Sequence, residues 1–174
     1  VEMERGGYSG VQSFPWQMDT AIARNSWCYT RDLVYKTSKE LLQNLIDVVA
    51  KNGNLLLNIG PKADGTIPKR DQQILREMGD WLAVNGEAIY GSRPWRVATE
   101  GSSQQAWGAF SDGEAPSYTS QDIRYTFRDG FLYALQLDPS REEETVLLTS
   151  LAYNLTEPQI LHARIQRVEL LGNS

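Results

Sequence analysis

The sequence predicts a chain in two parts: an α/β unit over residues 1–98 and an all-β unit over residues 99–174. Three observations carry this. In the first part, apolar residues recur twice at helical spacing, with a short apolar run between the two stretches. In the second part, apolar and polar residues alternate with period two. Charge divides at the same place. Residues 1–98 hold 12 basic and 11 acidic side chains, residues 99–174 hold 5 and 11, and all five lysines lie in the first part. The boundary is expected near 97–104, where Ala98-Thr99-Glu100-Gly101-Ser102-Ser103 reads as a linker or turn.

Each element follows from local signals. Thr37 or Ser38 can cap a helix, and Glu40 lies three residues after Thr37, as a capping box requires. Leu41, Leu42, Leu45, Ile46, Val48 and Val49 then repeat at helical spacing, and Gly53 is expected to end the helix as its C′ residue. The run Asn54-Leu55-Leu56-Leu57-Asn58-Ile59 is short and directly follows a helix, which predicts a buried parallel strand. Gly60-Pro61-Lys62-Ala63-Asp64-Gly65 turns the chain. A second helix is predicted from about Arg70 to Asn85, with Gly86 at its end. In the second part, strands are predicted at Ala106–Phe110, Ile123–Phe127, Phe131–Leu137, Thr145–Leu151 and Arg164–Leu171. Arg128-Asp129-Gly130 is a hairpin signal. Strands spaced in this way predict a sandwich or a small antiparallel sheet.

Composition excludes several functions. With 41% hydrophobic and 22% charged residues over 174 positions, the chain can bury a core and is neither disordered nor collagen-like. No apolar run approaches the length needed to span a membrane. A net charge of −5 argues against binding nucleic acid or anionic lipid and fits a neutral ligand such as a sugar. The one cysteine, Cys28, excludes an internal disulfide framework and a cysteine-rich zinc site. The one histidine, His162, excludes a two-histidine metal motif and argues against a Ser-His-Asp triad. No metal or cofactor is expected. Val1-Glu2-Met3-Glu4-Arg5 lacks the apolar core of a signal peptide and an initiator methionine, so the chain is expected to begin inside a longer fold.

Few residues invite chemistry. Glu2 and Glu4 lie two apart, so on an extended segment they share a face with Met3 opposite. They read either as a general acid/base and its neighbour or as two solvated acids. Trp16, Trp27 and Tyr29 form an aromatic cluster that could stack on sugar C–H surfaces or pack a loop. The 60–65 loop is glycine-rich but lacks the Gly-Lys-Ser/Thr of a phosphate-binding loop. Glu142-Glu143-Glu144 reads as a solvated loop, and Asn154-Leu155-Thr156 matches a glycosylation sequon. His162 reads as structural or exposed, and Cys28 as buried packing.

Three stretches carry a family resemblance. Ser26-Trp27-Cys28-Tyr29, the segment from Leu45 to Pro68 with its Gly53-Asn54-Leu55-Leu56-Leu57-Asn58-Ile59-Gly60-Pro61 core, and Gly79-Asp80-Trp81-Leu82 through Asn85-Gly86-Glu87-Ala88-Ile89-Tyr90 resemble the α-L-fucosidases of glycoside hydrolase family 29. Residues 122–126 and 131–137 resemble the start of that family's C-terminal sandwich. The resemblance implies the C-terminal part of a (β/α)8-like barrel over 1–98, followed by an antiparallel β-sandwich over 99–174, with both ends truncated.

It also implies a retaining hydrolase that removes terminal α-L-fucose from oligosaccharides or glycoconjugates, using two carboxyl groups about 5–5.5 Å apart. The family nucleophile is an aspartate upstream of the matched region, as are the fucose-binding histidines. Asp19 and Asp32 lack that aspartate's setting, so the nucleophile is expected outside this chain and the isolated chain is expected to be inactive. By position in the motif, Glu4 is the expected acid/base, Glu2 is the alternative, and Trp16 lines the pocket or an aglycone subsite. The resemblance implies a raised Glu4 pKa, from partial burial and the nearby nucleophile. Cys28 stands where a glycine is common. The expected partners are the fucosylated substrate and the missing N-terminal barrel segment, with no nucleic acid or membrane. The expected location is periplasmic, extracellular or lysosomal. The rival reading is a non-catalytic carbohydrate-binding or interaction module.

Overall fold

A computed structural model describes residues 1–103, 108–111, 116–139, 145–152 and 164–172. The first part builds a parallel sheet with helices on one face. Strands β1 (Glu2–Glu4), β2 (Trp16–Ala21) and β3 (Gly53–Asn58) lie side by side in that order, all parallel. Helix α1 (Ser38–Ala50) joins β2 to β3, and α2 (Lys69–Asn85) follows β3. This is the strand–helix–strand arrangement that short apolar runs between amphipathic helices dictate.

The capping box forms as the sequence predicts. Thr37 Oγ1 accepts from the Glu40 amide at 3.2 Å, and Glu40 Oε2 accepts from the Thr37 amide at 2.7 Å. The far end differs from expectation. Asn52, not Gly53, takes the left-handed conformation (φ 72°), and Gly53 opens β3. Gly53 is needed for a different reason: a Cβ there would sit 2.6 Å from Trp16 Cε2. Strand β3 is parallel as predicted, but it is only half-buried, because Leu56 is exposed.

The second part differs more. Strands β4 (Arg93–Glu100), β5 (Ile123–Arg128) and β6 (Phe131–Gln136) form an antiparallel sheet in that order. Ala98, Thr99 and Glu100, read above as linker, belong to β4. Their pairing with β5 is irregular between Pro94 and Thr99, where proline removes a ladder donor. The predicted hairpin is present. Arg128 faces Phe131 across the two-residue turn Asp129-Gly130, with φ of 50° and 87°.

Two strand predictions fail. Residues 145–148 are irregular and Thr149–Leu151 is a 3-10 turn, while 164–170 run without strand pairing. Val168 and Leu170 stand exposed there, so apolar β-branched composition without a partner gave a false signal. The predicted strand at Ala106–Phe110 falls partly outside the described residues. Its remainder contributes one bridge, Gly108 to Gly7. Glu142–Glu144, Asn154 and His162 lie outside the described residues.

Helix α1 is shared by both sheets. Val48 packs with Trp16 and Met18 beneath the parallel sheet, while Leu41 joins Ile22, Ile74 and Met78 between the helices. On its other side Ile46 joins Ala88, Ile89, Tyr118, Leu135 and Leu137 against the antiparallel sheet. An ionic cluster closes this second contact. Asp47 accepts from Lys51 Nζ and from Arg124 Nε, each at 2.6 Å, and all three side chains are buried.

Candidate active site at the carboxyl edge of the parallel sheet

Side chains alternate across the parallel sheet. Met3, Trp16, Met18 and Leu55 pack together on the α1 side. The pleat therefore puts Glu2, Glu4, Gln17, Asp19, Leu56 and Asn58 on the opposite face. Ligands in parallel α/β sheets bind beyond the carboxyl ends of the strands. Glu4 ends β1 and Asn58 ends β3 at that edge, whereas Glu2 lies one pleat back, beside Gln17.

The chain after each strand builds the edge further. Arg5 follows Glu4 in a left-handed conformation (φ 48°), a costly state for a non-glycine residue that often marks functional turns. Its amide donates to the Asp19 carbonyl at 2.8 Å. Its guanidinium donates to the carbonyls of Arg24 (3.1 Å) and Ala23 (3.3 Å) and lies 4.3 Å from the centre of the Trp27 ring. Asn58 Nδ2 donates to the Trp27 carbonyl at 2.6 Å. Gly60 lets this loop close down, since a Cβ there would meet the Tyr29 amide at 2.8 Å. Arg5, next to Glu4 in the chain, and Asn58 thus both hold Trp27, Arg5 through its guanidinium against the indole and Asn58 through the Trp27 carbonyl.

Glu4 is exposed, not partly enclosed as the resemblance implies. Asp19 is its in-register neighbour on β2, and Asp19 Oδ1 is buried with no hydrogen-bond partner among the described residues. The structure places Trp16 elsewhere. It begins β2, at the end of the sheet away from Glu4, is 2% exposed, donates from Nε1 to the Lys51 carbonyl at 2.9 Å and meets Tyr8 edge-on at 5.0 Å. Those contacts make Trp16 a core residue and correct the expectation that it lines a pocket. Of the aromatic cluster, Trp27 is the member at the edge. Cys28 is exposed, not packed. Among the described residues, no three His, Cys, Asp or Glu side chains gather as a metal site.

Of these residues the sequence points only to Trp27, through its aromatic cluster; nothing in it marks Arg5 or Asn58 for chemistry. Asn58 and Trp27 fall inside family-like blocks, which is a signal of interest. Their pairing with Arg5 spans tens of residues and has no local signature.

Comparison with known proteins follows the same outline. Tissue alpha-L-fucosidase of Mus musculus is 43% identical over 114 residues, covering 59% of this chain and 25% of its own length. The human tissue enzyme is 43% identical over 102 residues, covering 55% and 22%. This chain thus spans about a quarter of the length of the curated relatives it matches. Among solved structures, Thermotoga maritima alpha-fucosidase in complex with fucose superimposes with a TM-score of 0.56 at 32% identity, over 70% of this chain and 25% of that one. A further alpha-L-fucosidase gives a TM-score of 0.64 at 30% identity, over 78% and 28%. The family model described as alpha-L-fucosidase matches residues 1–87, half of the sequence, and with it the sheet edge that carries Glu4; the chain belongs to the α-L-fucosidase family.

Proposed function

We propose that residues 1–174 are the C-terminal portion of a retaining α-L-fucosidase. Residues 1–98 complete a (β/α)8-like catalytic barrel, and residues 99–174 belong to a C-terminal β-sandwich. Parallel pairing of β1, β2 and β3, with both helices on one face, supports the barrel reading. The antiparallel β4–β5–β6 sheet supports the second. The substrate is a fucosylated oligosaccharide or glycoconjugate.

Glu4 is the general acid/base, and the observation that carries this is its place at the carboxyl end of β1. From there it protonates the leaving glycosidic oxygen, then takes a proton from the water that hydrolyses the glycosyl-enzyme. The nucleophilic carboxylate comes from outside these residues, so the isolated chain is inactive: half of a carboxylate pair cannot perform the covalent step. Arg5 and Asn58 hold the Trp27 loop beside Glu4, where the indole offers a face to the sugar. The chemistry needs carboxyl groups and water alone.

The test uses the full-length enzyme and two fucosides. Glu4→Gln is expected to slow hydrolysis of a sugar leaving group by about 10²–10⁴, the usual contribution of a positioned acid. It should slow 2-chloro-4-nitrophenyl α-L-fucoside far less, since that leaving group needs no proton. If Glu2→Gln shows this split and Glu4→Gln does not, the assignment passes to Glu2. If neither does, the acid/base lies elsewhere. Release of 4-nitrophenol from its fucoside by purified 1–174 would refute the claim that the nucleophile lies outside.

A further inference from the structure

The chain is acidic overall, yet a cavity among the described residues is lined by cations. A cavity of about 390 Å³ opens between the loop after β2 and the loop leading into α2. Arg31, Lys62 and Lys69 line it together with Tyr29, Tyr35 and Pro68. None of the three cations has a carboxylate within 4 Å among the described residues. Two acids near the cavity hydrogen-bond elsewhere, although Asp64 remains within electrostatic reach of Lys62. Asp64 accepts from the amide and hydroxyl of Thr66, and Asp71, behind the wall, accepts from the Tyr35 hydroxyl at 2.7 Å. That hydroxyl stays protonated, because burial and the Asp71 carboxylate raise its pKa to about 12. The wall is therefore phenol and cation, with no phenolate to repel an anion. Lys62 Nζ lies 5.7 Å from the centre of the Tyr29 ring, so an aromatic platform and a cation face the same space.

The cavity adjoins the Glu4 edge through one loop. Trp27 contacts Arg5, the residue after Glu4, while Tyr29, two positions on, lines the cavity. Two residues of extended chain span at most about 7 Å. A saccharide whose fucose sits at Glu4 can cross the Trp27–Tyr29 loop and place its next residues over Tyr29. Net charge speaks against anionic ligands for the molecule as a whole, but three cations in one concavity, with no carboxylate within 4 Å among the described residues, focus the local field the other way.

We infer that this cavity is a subsite for an acidic group on the saccharide that carries the fucose, a sulfate ester or a carboxylate held by Arg31, Lys62 and Lys69 above Tyr29. The inference rests on the fucosidase reading and narrows its substrate class to acidic fucosylated glycans.

The test is calorimetry and amide-shift NMR on the 174-residue chain at low salt, with lactose, 3′-sulfolactose and 3′-sialyllactose. The sulfated or the sialylated sugar is expected to bind roughly five- to tenfold more tightly than lactose, since exposed charge pairs are individually weak. The preferred sugar identifies the group as sulfate or carboxylate. The shifts should centre on Tyr29, Arg31 and Lys62, and the preference should vanish in Arg31→Ala/Lys62→Ala. It should survive in Lys62→Arg, which keeps the charge. Equal binding of all three sugars, or a preference that persists in the double alanine variant, would overturn the subsite. The leaving-group split of Glu4→Gln in the full-length enzyme separates the two readings. Acidic preference in the 174-residue chain without that split removes the Glu4 reading and leaves the cavity. The split without acidic preference does the reverse.

Discussion

Gly53, Trp16 and Lys51 show how single residues fix the parallel sheet. The Trp16 indole fills the space over Gly53 and donates to the Lys51 carbonyl at the end of α1. Gly53→Ala would push a methyl group to within 2.6 Å of Trp16 Cε2 and 2.7 Å of Val48 Cγ1, so it should cost about 1–3 kcal/mol by overpacking. Trp16→Phe should cost about 0.5–1.5 kcal/mol by removing the indole's hydrogen bond to the Lys51 carbonyl, which keeps only the Gln12 amide at 3.2 Å. Urea midpoints measure both, and a Trp16→Phe midpoint equal to the parent's would count against the core role. Glu100 makes a second kind of residue-scale prediction. Burial raises its pKa, but hydrogen bonds from Thr149, Ser150 and Tyr125 outweigh this and hold it at about 2. A depressed carboxylate stabilises the fold fully above its unfolded pKa of about 4.3, and that contribution is lost as pH falls toward the folded value. Stability should therefore decline between about pH 4.3 and pH 2, and Glu100→Gln should flatten that limb. Parallel acid limbs in the two proteins would show that Glu100 does not set it.

At the scale of elements, α1 holds two sheets with different chemistry on its two sides. Apolar packing faces β1–β3, whereas the side toward β5 adds the buried Asp47–Lys51–Arg124 cluster. Arg124→Ala removes one of the two cations that Asp47 accepts from, together with a large buried side chain, so it should cost about 3–5 kcal/mol. Arg124→Met combined with Asp47→Leu and Lys51→Met, which removes all three charges and roughly keeps the volume, should recover part of that loss. Thermal melts of the single and triple variants read the difference, and a triple variant no better than Arg124→Ala would contradict it. The elements also differ in how far the sequence reveals them. Helix α1, helix α2 and the β5–β6 hairpin are legible because their signals are local: the Thr37–Glu40 box, a helical apolar repeat, and Asp129-Gly130 between alternating runs. Strands β1 and β2 are not legible, because three to six residues gain their meaning only from the neighbour they pair with. Strand β4 hides behind turn-forming residues, and 164–170 has strand composition but pairs with no strand among the described residues. In the proposed site, the motif points to Glu4. Arg5 against Trp27, and Asn58 against the Trp27 carbonyl, have no such signal, since both contacts join loops far apart in sequence.

For the whole molecule, these contacts decide whether the two parts are separable. Ile46, Ala88 and Ile89 belong to the first 98 residues, but they are buried against Tyr118, Leu135 and Leu137 from the remainder. Gln43 Nε2 donates to the Leu137 carbonyl at 2.8 Å, and Thr126 Oγ1 to the Ala88 carbonyl at 2.7 Å, so polar groups are matched across the same surface. Cutting after residue 98 would uncover that apolar cluster, leave Asp47 with Lys51 alone and strip two buried partners. On the opposite face of the parallel sheet Leu56 is 51% exposed, so a piece comprising 1–98 would present apolar surface on both sides. The whole chain should thus unfold in urea as one unit, with coincident transitions by tryptophan fluorescence and far-UV circular dichroism. Residues 1–98 alone should keep helical signal while binding an apolar dye and showing poor amide dispersion, as expected when secondary structure outlives specific packing. A well-dispersed amide spectrum from isolated 1–98, or two separated transitions in the whole chain, would mean that α1 does not couple the sheets and that the two parts fold independently.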